Sequence, residues 1–133
     1  MPAYDAERFD PPAPVAAVAL RDPRTGATLT GVEMVVDSGA DVTLVPRTAV
    51  EKLGSQTVEG LMVELCGFDG SRSVASAVAL EMRFLGRVFR GRFLVVDLES
   101  GILGRNVLNT LVVSLDGPRL VWDVATPSEE PCG

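Results

Sequence analysis

Histidine is absent from all 133 residues. That absence excludes Ser-His-Asp and Cys-His nucleophilic sites and every metal site built on imidazole. Carboxylates are then the natural acid–base groups for any catalysis. Cysteine is nearly absent: Cys66 and Cys132 stand far apart and in no CxxC spacing, so neither a zinc site nor a redox motif is expected. No apolar run reaches the length of a membrane span, and the start lacks the basic region and apolar core of a signal peptide. A soluble, reducing, cytoplasmic setting is the resulting expectation, with no membrane partner. Positive charge is outweighed, 12 Lys and Arg against 18 Asp and Glu, and the net charge of −6 argues against nucleic acid as a partner. Arg87, Arg90 and Arg92 are locally basic but alternate with Val88 and Phe89, as on the solvated face of a strand.

What is present fits one domain. The chain suffices for a single core but not for two domains of ordinary size, and an apolar fraction of 47% is too high for a disordered polymer. Residues 1–14 are polar and hold Pro2, Pro11, Pro12 and Pro14, so a flexible N-terminal tail is expected there. Residues 126–133 (TPSEEPCG) predict a second tail. Between them, 15–125 is broken by turn signals at short intervals, which predicts an all-β domain. Strands are expected over 15–20 and 27–36, joined by the turn Asp22-Pro23-Arg24-Thr25-Gly26. Pro46 and Gly54 bracket a short helix. Residues 58–66 alternate in polarity. Past the turn Gly67-Phe68-Asp69-Gly70 the apolar set falls on Val74, Val78, Leu80, Met82 and Phe84, which makes a long hairpin. Phe89, Phe93 and Val95 share one face of the return strand. Residues 105–110 suit one or two helical turns, and Asp116-Gly117-Pro118 turns a last hairpin.

The stretch VVDSGADVTLVP (35–46) places Asp37 at the end of an apolar run. A carboxylate there is costly unless it is paired or hydrogen-bonded. The strand would hold Asp37 in a fixed place, Gly39 would let a backbone amide approach it, and the Ser38 hydroxyl can donate or accept beside it. Taken alone, these residues describe an Asx-type turn equally well. A second pattern lies far downstream: Ile102-Leu103-Gly104-Arg105-Asn106, two apolar residues and then Gly, Arg and Asn, leading into a helical segment.

In this order and separation, VVDSGAD (35–41) and ILGRN (102–106) resemble the motifs of the retropepsins, the retroviral-type aspartic proteases and their cellular and bacterial relatives. The resemblance implies an all-β, closed β-barrel-like acid-protease fold with one short C-terminal helix and one lobe per chain. It implies an aspartic endopeptidase working as a homodimer on a polypeptide bound in extended form, with no cofactor. Only one D-[ST]-G occurs, since Asp69-Gly70-Ser71 and Asp116-Gly117-Pro118 have the wrong order. A complete site would therefore need Asp37 from each of two chains about a two-fold axis. In aspartic proteases two carboxylates about 3 Å apart share one proton. The family pattern makes Asp37 catalytic, with Ser38, Gly39, Ala40, Asp41 and Arg105 in support. Ser38 would bond across the dimer axis, Gly39 would meet the peptide backbone, and Asp41 would pair with Arg105 beneath the site. Phe68, Asp69 and Gly70 would form a flap tip, while Val42, Leu44 and Ile102 would line side-chain pockets. Two other readings stay open on the residues: a domain of this fold that only dimerises or binds peptides, and a small β-barrel binding module in which DSGA is merely a turn. Val42, Leu44 and Ile102 suit plain core equally well.

Overall fold

A computed structural model describes residues 2–56, 62–66 and 72–125. Its elements run β1 (Tyr4–Asp5), β2 (Ala13–Arg21), β3 (Thr28–Val36), β4 (Leu44–Pro46), α1 (Arg47–Leu53), β5 (Met62–Cys66), β6 (Arg72–Phe84), β7 (Arg87–Val96), β8 (Gly101–Leu103), α2 (Arg105–Leu108), β9 (Val112–Asp116) and β10 (Val121–Ala125). The main sheet has the order β1-β2-β3-β8-β4-β7-β6-β5, and β2 also pairs with β6. That extra pairing closes a barrel of 6 strands, β2-β3-β8-β4-β7-β6, as the all-β expectation requires. Closure leaves no open edge around the barrel itself. Among the described residues no helix is long and apolar enough to cross a membrane.

Alternation drives the closure. Along β6 the even positions Val78, Leu80, Met82 and Phe84 point into the main core, where Val18, Leu20, Met34, Phe93 and Val95 meet them. Trp122 of β10 is fully buried against this core, stacked on Phe84 with ring centroids 6.2 Å apart. Its indole N–H donates to the carbonyl of Val15 at 2.9 Å, so the one polar atom of the ring is satisfied. The helix expected between Pro46 and Gly54 forms as α1. Pro46 stands at its N-cap, and Gly54 closes it with φ 68°, a left-handed conformation that glycine adopts without steric cost. Arg90, on the solvated face of β7, reaches Glu81 on the neighbouring strand at 3.3 Å.

The expected flexible tail over 1–14 needs correction. β1 pairs with β2, Tyr4 donates its amide to the carbonyl of Leu120, and the Trp122 amide donates to the carbonyl of Pro2. Edge positions beside β2 and β10 offer the early residues backbone partners, which polar, proline-rich composition does not reveal. The predicted tail over 126–133, the start of the strand at 58–61 and the turn at 67–70 lie outside the described residues.

The turn after β2 carries a buried carboxylate. Asp22 accepts hydrogen bonds from the Ser55 hydroxyl at 2.7 Å and from the amides of Arg24 and Thr25. The Ser55 hydrogen bond is the main reason its carboxyl sits below the usual value of 3.8, with the two amides adding to the effect and burial opposing it. A depressed folded pKa contributes stability above the unfolded value, and that contribution fades as pH falls through the folded value. Asp22→Asn should therefore be less stable than wild type near neutrality, with the gap narrowing as pH drops below 3.8. Urea midpoints at pH 7 and pH 3 measure this; a gap that widens on acidification would contradict it.

Candidate active site

Strand β3 delivers Asp37. Its last residues pair in parallel with β8, Met34 with Gly101, Val35 with Ile102 and Val36 with Leu103, so the two sequence motifs lie side by side. The ladder extends one step further, because the Asp37 amide donates to the carbonyl of Leu103 at 3.1 Å. Beyond it the chain turns sharply. Ala40 donates its amide to the carbonyl of Asp37 at 3.2 Å, and the Gly39 amide donates to Asp37 Oδ1 at 2.8 Å. The Asx-type turn and the site arrangement are thus one geometry. Asp37 Oδ2 has no hydrogen-bond donor among the described residues, and the side chain is half-buried.

The second motif clasps the first from below. Arg105 donates its amide to the carbonyl of Ala40 at 2.8 Å, and its guanidinium donates to the carbonyl of Ser38 at 2.8 Å. Here the expected pairing of Arg105 with Asp41 is corrected: the guanidinium donates to a carbonyl of the turn, and the exposed Asp41 carboxylate has no partner among the described residues. An exposed ion pair gains little over hydration, so nothing forces the two together. Arg105 still ties the motifs to each other, by a different acceptor. The Ser38 side chain is exposed and has no hydrogen-bond partner among the described residues.

Thr43, which sequence reasoning passed over, is the buried polar link of this clasp. Its side-chain oxygen donates to Asn106 Oδ1 at 2.7 Å and accepts the Gly104 amide at 3.1 Å. It is 1% exposed, so each of these bonds satisfies a group that would otherwise be buried without a partner. The available signal was one hydroxyl within the apolar run Val42-Thr43-Leu44-Val45. Gly104 packs so closely that a Cβ would land on the carbonyl of Val42, and one at Gly101 would strike Met34 and the carbonyl of Leu44.

A cavity of about 410 Å³ opens beside Asp37, lined by Val35, Ile102 and Leu98 and, from the N-terminal segment, by Arg8 and Phe9. Of the three residues expected to line pockets, Ile102 does so here. Val42 and Leu44 are not in its lining; they pack with Ile102, Ala75, Ala77 and Leu94 in a small apolar cluster behind it. Leu44 is pulled inward because β4 is flanked by both β7 and β8. Phe68, Asp69 and Gly70 fall outside the described residues. Among the described residues, no group of three or more Cys, Asp or Glu side chains could hold a metal ion. Among the described residues, the arrangement leaves one carboxylate oxygen of Asp37 without a donor, at the lip of an apolar cavity.

Comparison with known proteins bears on this geometry. The sequence profile described as aspartyl protease matches residues 25–107, which contain both motifs. No curated protein matches. Among solved structures the chain is similar to the EIAV protease complexed with the inhibitor HBY-793, at TM-score 0.58 and 23% identity, covering 73% of this chain and 86% of that one. The solution structure of the simian foamy virus (mac) protease aligns at TM-score 0.49 and 17% identity, over 71% of this chain and 91% of that one. At its identity the first likeness establishes a shared retropepsin fold.

Proposed function

The chain belongs to the aspartyl protease family, and on that premise we propose that it is an aspartic endopeptidase active as a homodimer, with Asp37 of each subunit facing the other. One observation carries the proposal: Asp37 is fixed at the end of β3 by its amide bond to the Leu103 carbonyl and by the Gly39 amide on Oδ1, with its second oxygen lacking a donor among the described residues beside an apolar cavity. A single chain supplies one such carboxylate, because it contains one D-[ST]-G. Two copies related by a two-fold axis supply the pair.

The chemistry follows from charge. Two adjacent carboxylates share a proton, so the pair titrates as a unit. The ionised member removes a proton from a water as that water attacks the scissile carbonyl carbon. The protonated member donates to the carbonyl oxygen, and a proton then passes to the leaving nitrogen as the C–N bond breaks. In this arrangement Ser38, exposed next to Asp37, bonds to its copy across the axis. Gly39 offers its carbonyl to an extended peptide, which binds by strand-like hydrogen bonds.

The test uses fluorescein-labelled casein, an unfolded substrate. Turnover per chain is expected to rise with protein concentration and level off where sedimentation shows the dimer complete. Constant turnover per chain down to concentrations at which the protein is monomeric would overturn the shared site.

A further inference from the structure

We infer that the outer face of β2, β6 and β7 is a docking surface for an acidic, extended segment of a polypeptide, held by Arg21, Arg83, Arg90 and Arg92. The face lies apart from Asp37. Arg21 sits opposite Thr28 at the start of β3, whereas Asp37 follows the end of that 9-residue strand. At about 3.3 Å per residue the two lie roughly 30 Å apart along it. Binding there does not depend on the endopeptidase proposal.

Register assembles the face. Even positions of β6 fill the core, so odd ones point outward. Arg21 of β2, Glu81 of β6 and Arg90 of β7 form one row across the three strands. Ala19, Arg83 and Val88 form the next row, and Ala79 stands opposite Arg92. Glu81 is the one carboxylate in these rows. Its two oxygens are both taken, Oε2 by Arg21 and Oε1 by Arg90, each at 3.3 Å. Arg83 and Arg92 are exposed and have no carboxylate partner among the described residues. By contrast, Arg8 meets the carboxylates of Asp5, Glu33 and Glu99, Arg47 meets that of Asp97, and Arg119 meets that of Asp116.

Four guanidiniums against one carboxylate make this face positive on a chain of net charge −6. Exposed strand positions need no charge to close the barrel, and like charges on neighbouring strands oppose pairing. An acidic partner removes that repulsion. The bonds to Glu81 hold Arg21 and Arg90 down on the face, and each guanidinium keeps further N–H groups for a ligand. Beside Arg83 and Arg92 stand Ala19 and Ala79, whose short side chains leave both guanidiniums open. Arg90 and Arg92 are two residues apart on one strand, a spacing of about 7 Å, and an extended peptide with Asp or Glu at alternate positions repeats at the same distance. Single-stranded nucleic acid binds through aromatic platforms as well as charge. The outward positions of these rows carry no aromatic ring, since Phe89 and Phe93 turn to the core. A polypeptide is therefore the better match.

Fluorescence anisotropy with a fluorescein-labelled peptide alternating Glu and Ser tests this. Wild type is measured beside Asp37→Asn, so that cleavage of the probe cannot imitate lost binding. Saturable binding is expected with both, and none with the same peptide carrying Gln in place of Glu. Raising NaCl from about 20 to about 500 mM should weaken it at least about 10-fold. Arg83→Gln and Arg92→Gln should each weaken it about 3-fold, and the double variant about 10-fold. Both side chains are exposed, so the variants should fold as wild type does. Arg47→Gln changes the net charge equally, at a residue that pairs with Asp97 past the end of β7, and should leave binding unchanged. No binding by wild type at low salt, or an equal loss in Arg47→Gln, would overturn the inference. Tighter binding of an oligothymidylate of the same charge would overturn the choice of a polypeptide.

Discussion

Asp37→Asn is expected to lower casein cleavage by about 10⁴-fold, the upper end of what a positioned acid–base group contributes. The substitution is nearly isosteric, and an amide oxygen can still accept the Gly39 amide that Asp37 Oδ1 accepts at 2.8 Å. The turn, the bond from the Asp37 amide to Leu103 and the barrel should therefore persist, with an unchanged urea midpoint. An amide is too weak a base to take a proton from water, so chemistry is lost and folding is not. Mixing sharpens the test. If each dimer needs Asp37 from both chains, an equimolar mixture of wild type and variant, after subunit exchange, retains about one quarter of the activity of the same total of wild type. If one Asp37 per dimer were enough, the mixture would keep well over that. Full activity in the variant would reduce DSGA to the turn that its hydrogen bonds also describe.

The local rules were readable from sequence, and the parts that depend on tertiary contacts were not. Pro46 and Gly54 marked α1 because cap chemistry is local. The even positions of β6 marked the core because side chains alternate along a strand. The two motifs were found because each has a fixed local pattern, and their adjacency as β3 and β8 is what the resemblance implied. Arg105 was given the wrong acceptor: a charge and a spacing name a donor, but whether it meets Asp41 or the Ser38 carbonyl depends on angles no pattern encodes. Arg8 and Phe9 were hidden for a related reason. Prolines and polar residues around them look like tail, and only the carboxylates of Glu33 and Glu99, brought there by other elements, show what holds them. Thr43 was overlooked because a lone threonine in an apolar run is also a common strand residue.

Gly104→Ala should unfold more easily by about 3 kcal/mol, the upper range for forcing extra volume into a packed interior. The cause is space and not backbone freedom, since Gly104 has φ −92°, open to any residue. A Cβ there would land on the carbonyl of Val42 and crowd the carbonyl of Ala40 at 3.1 Å. Both obstacles are backbone, so no side-chain rotation relieves them. Relief requires the strand–turn around Val42 to part from the start of α2. That movement would break the Gly104 amide bond to Thr43 and the Arg105 amide bond to Ala40. With a slope of about 1–3 kcal/mol per molar urea, the midpoint should fall by roughly 1–3 M. Gly117→Ala is the control: it has open space around its Cβ position and no left-handed φ, so its midpoint should stay within about 0.5 kcal/mol of wild type. Activity should fall further than stability in Gly104→Ala, even where the protein remains folded. Asp37 is held to Leu103, the neighbour of Gly104, by a single backbone bond. A shift of about 1 Å in that support is enough to cost on the order of 100-fold in a site that depends on alignment. Turnover equal to wild type in the folded variant would mean that the clasp between the two motifs stabilises the barrel without setting the position of Asp37.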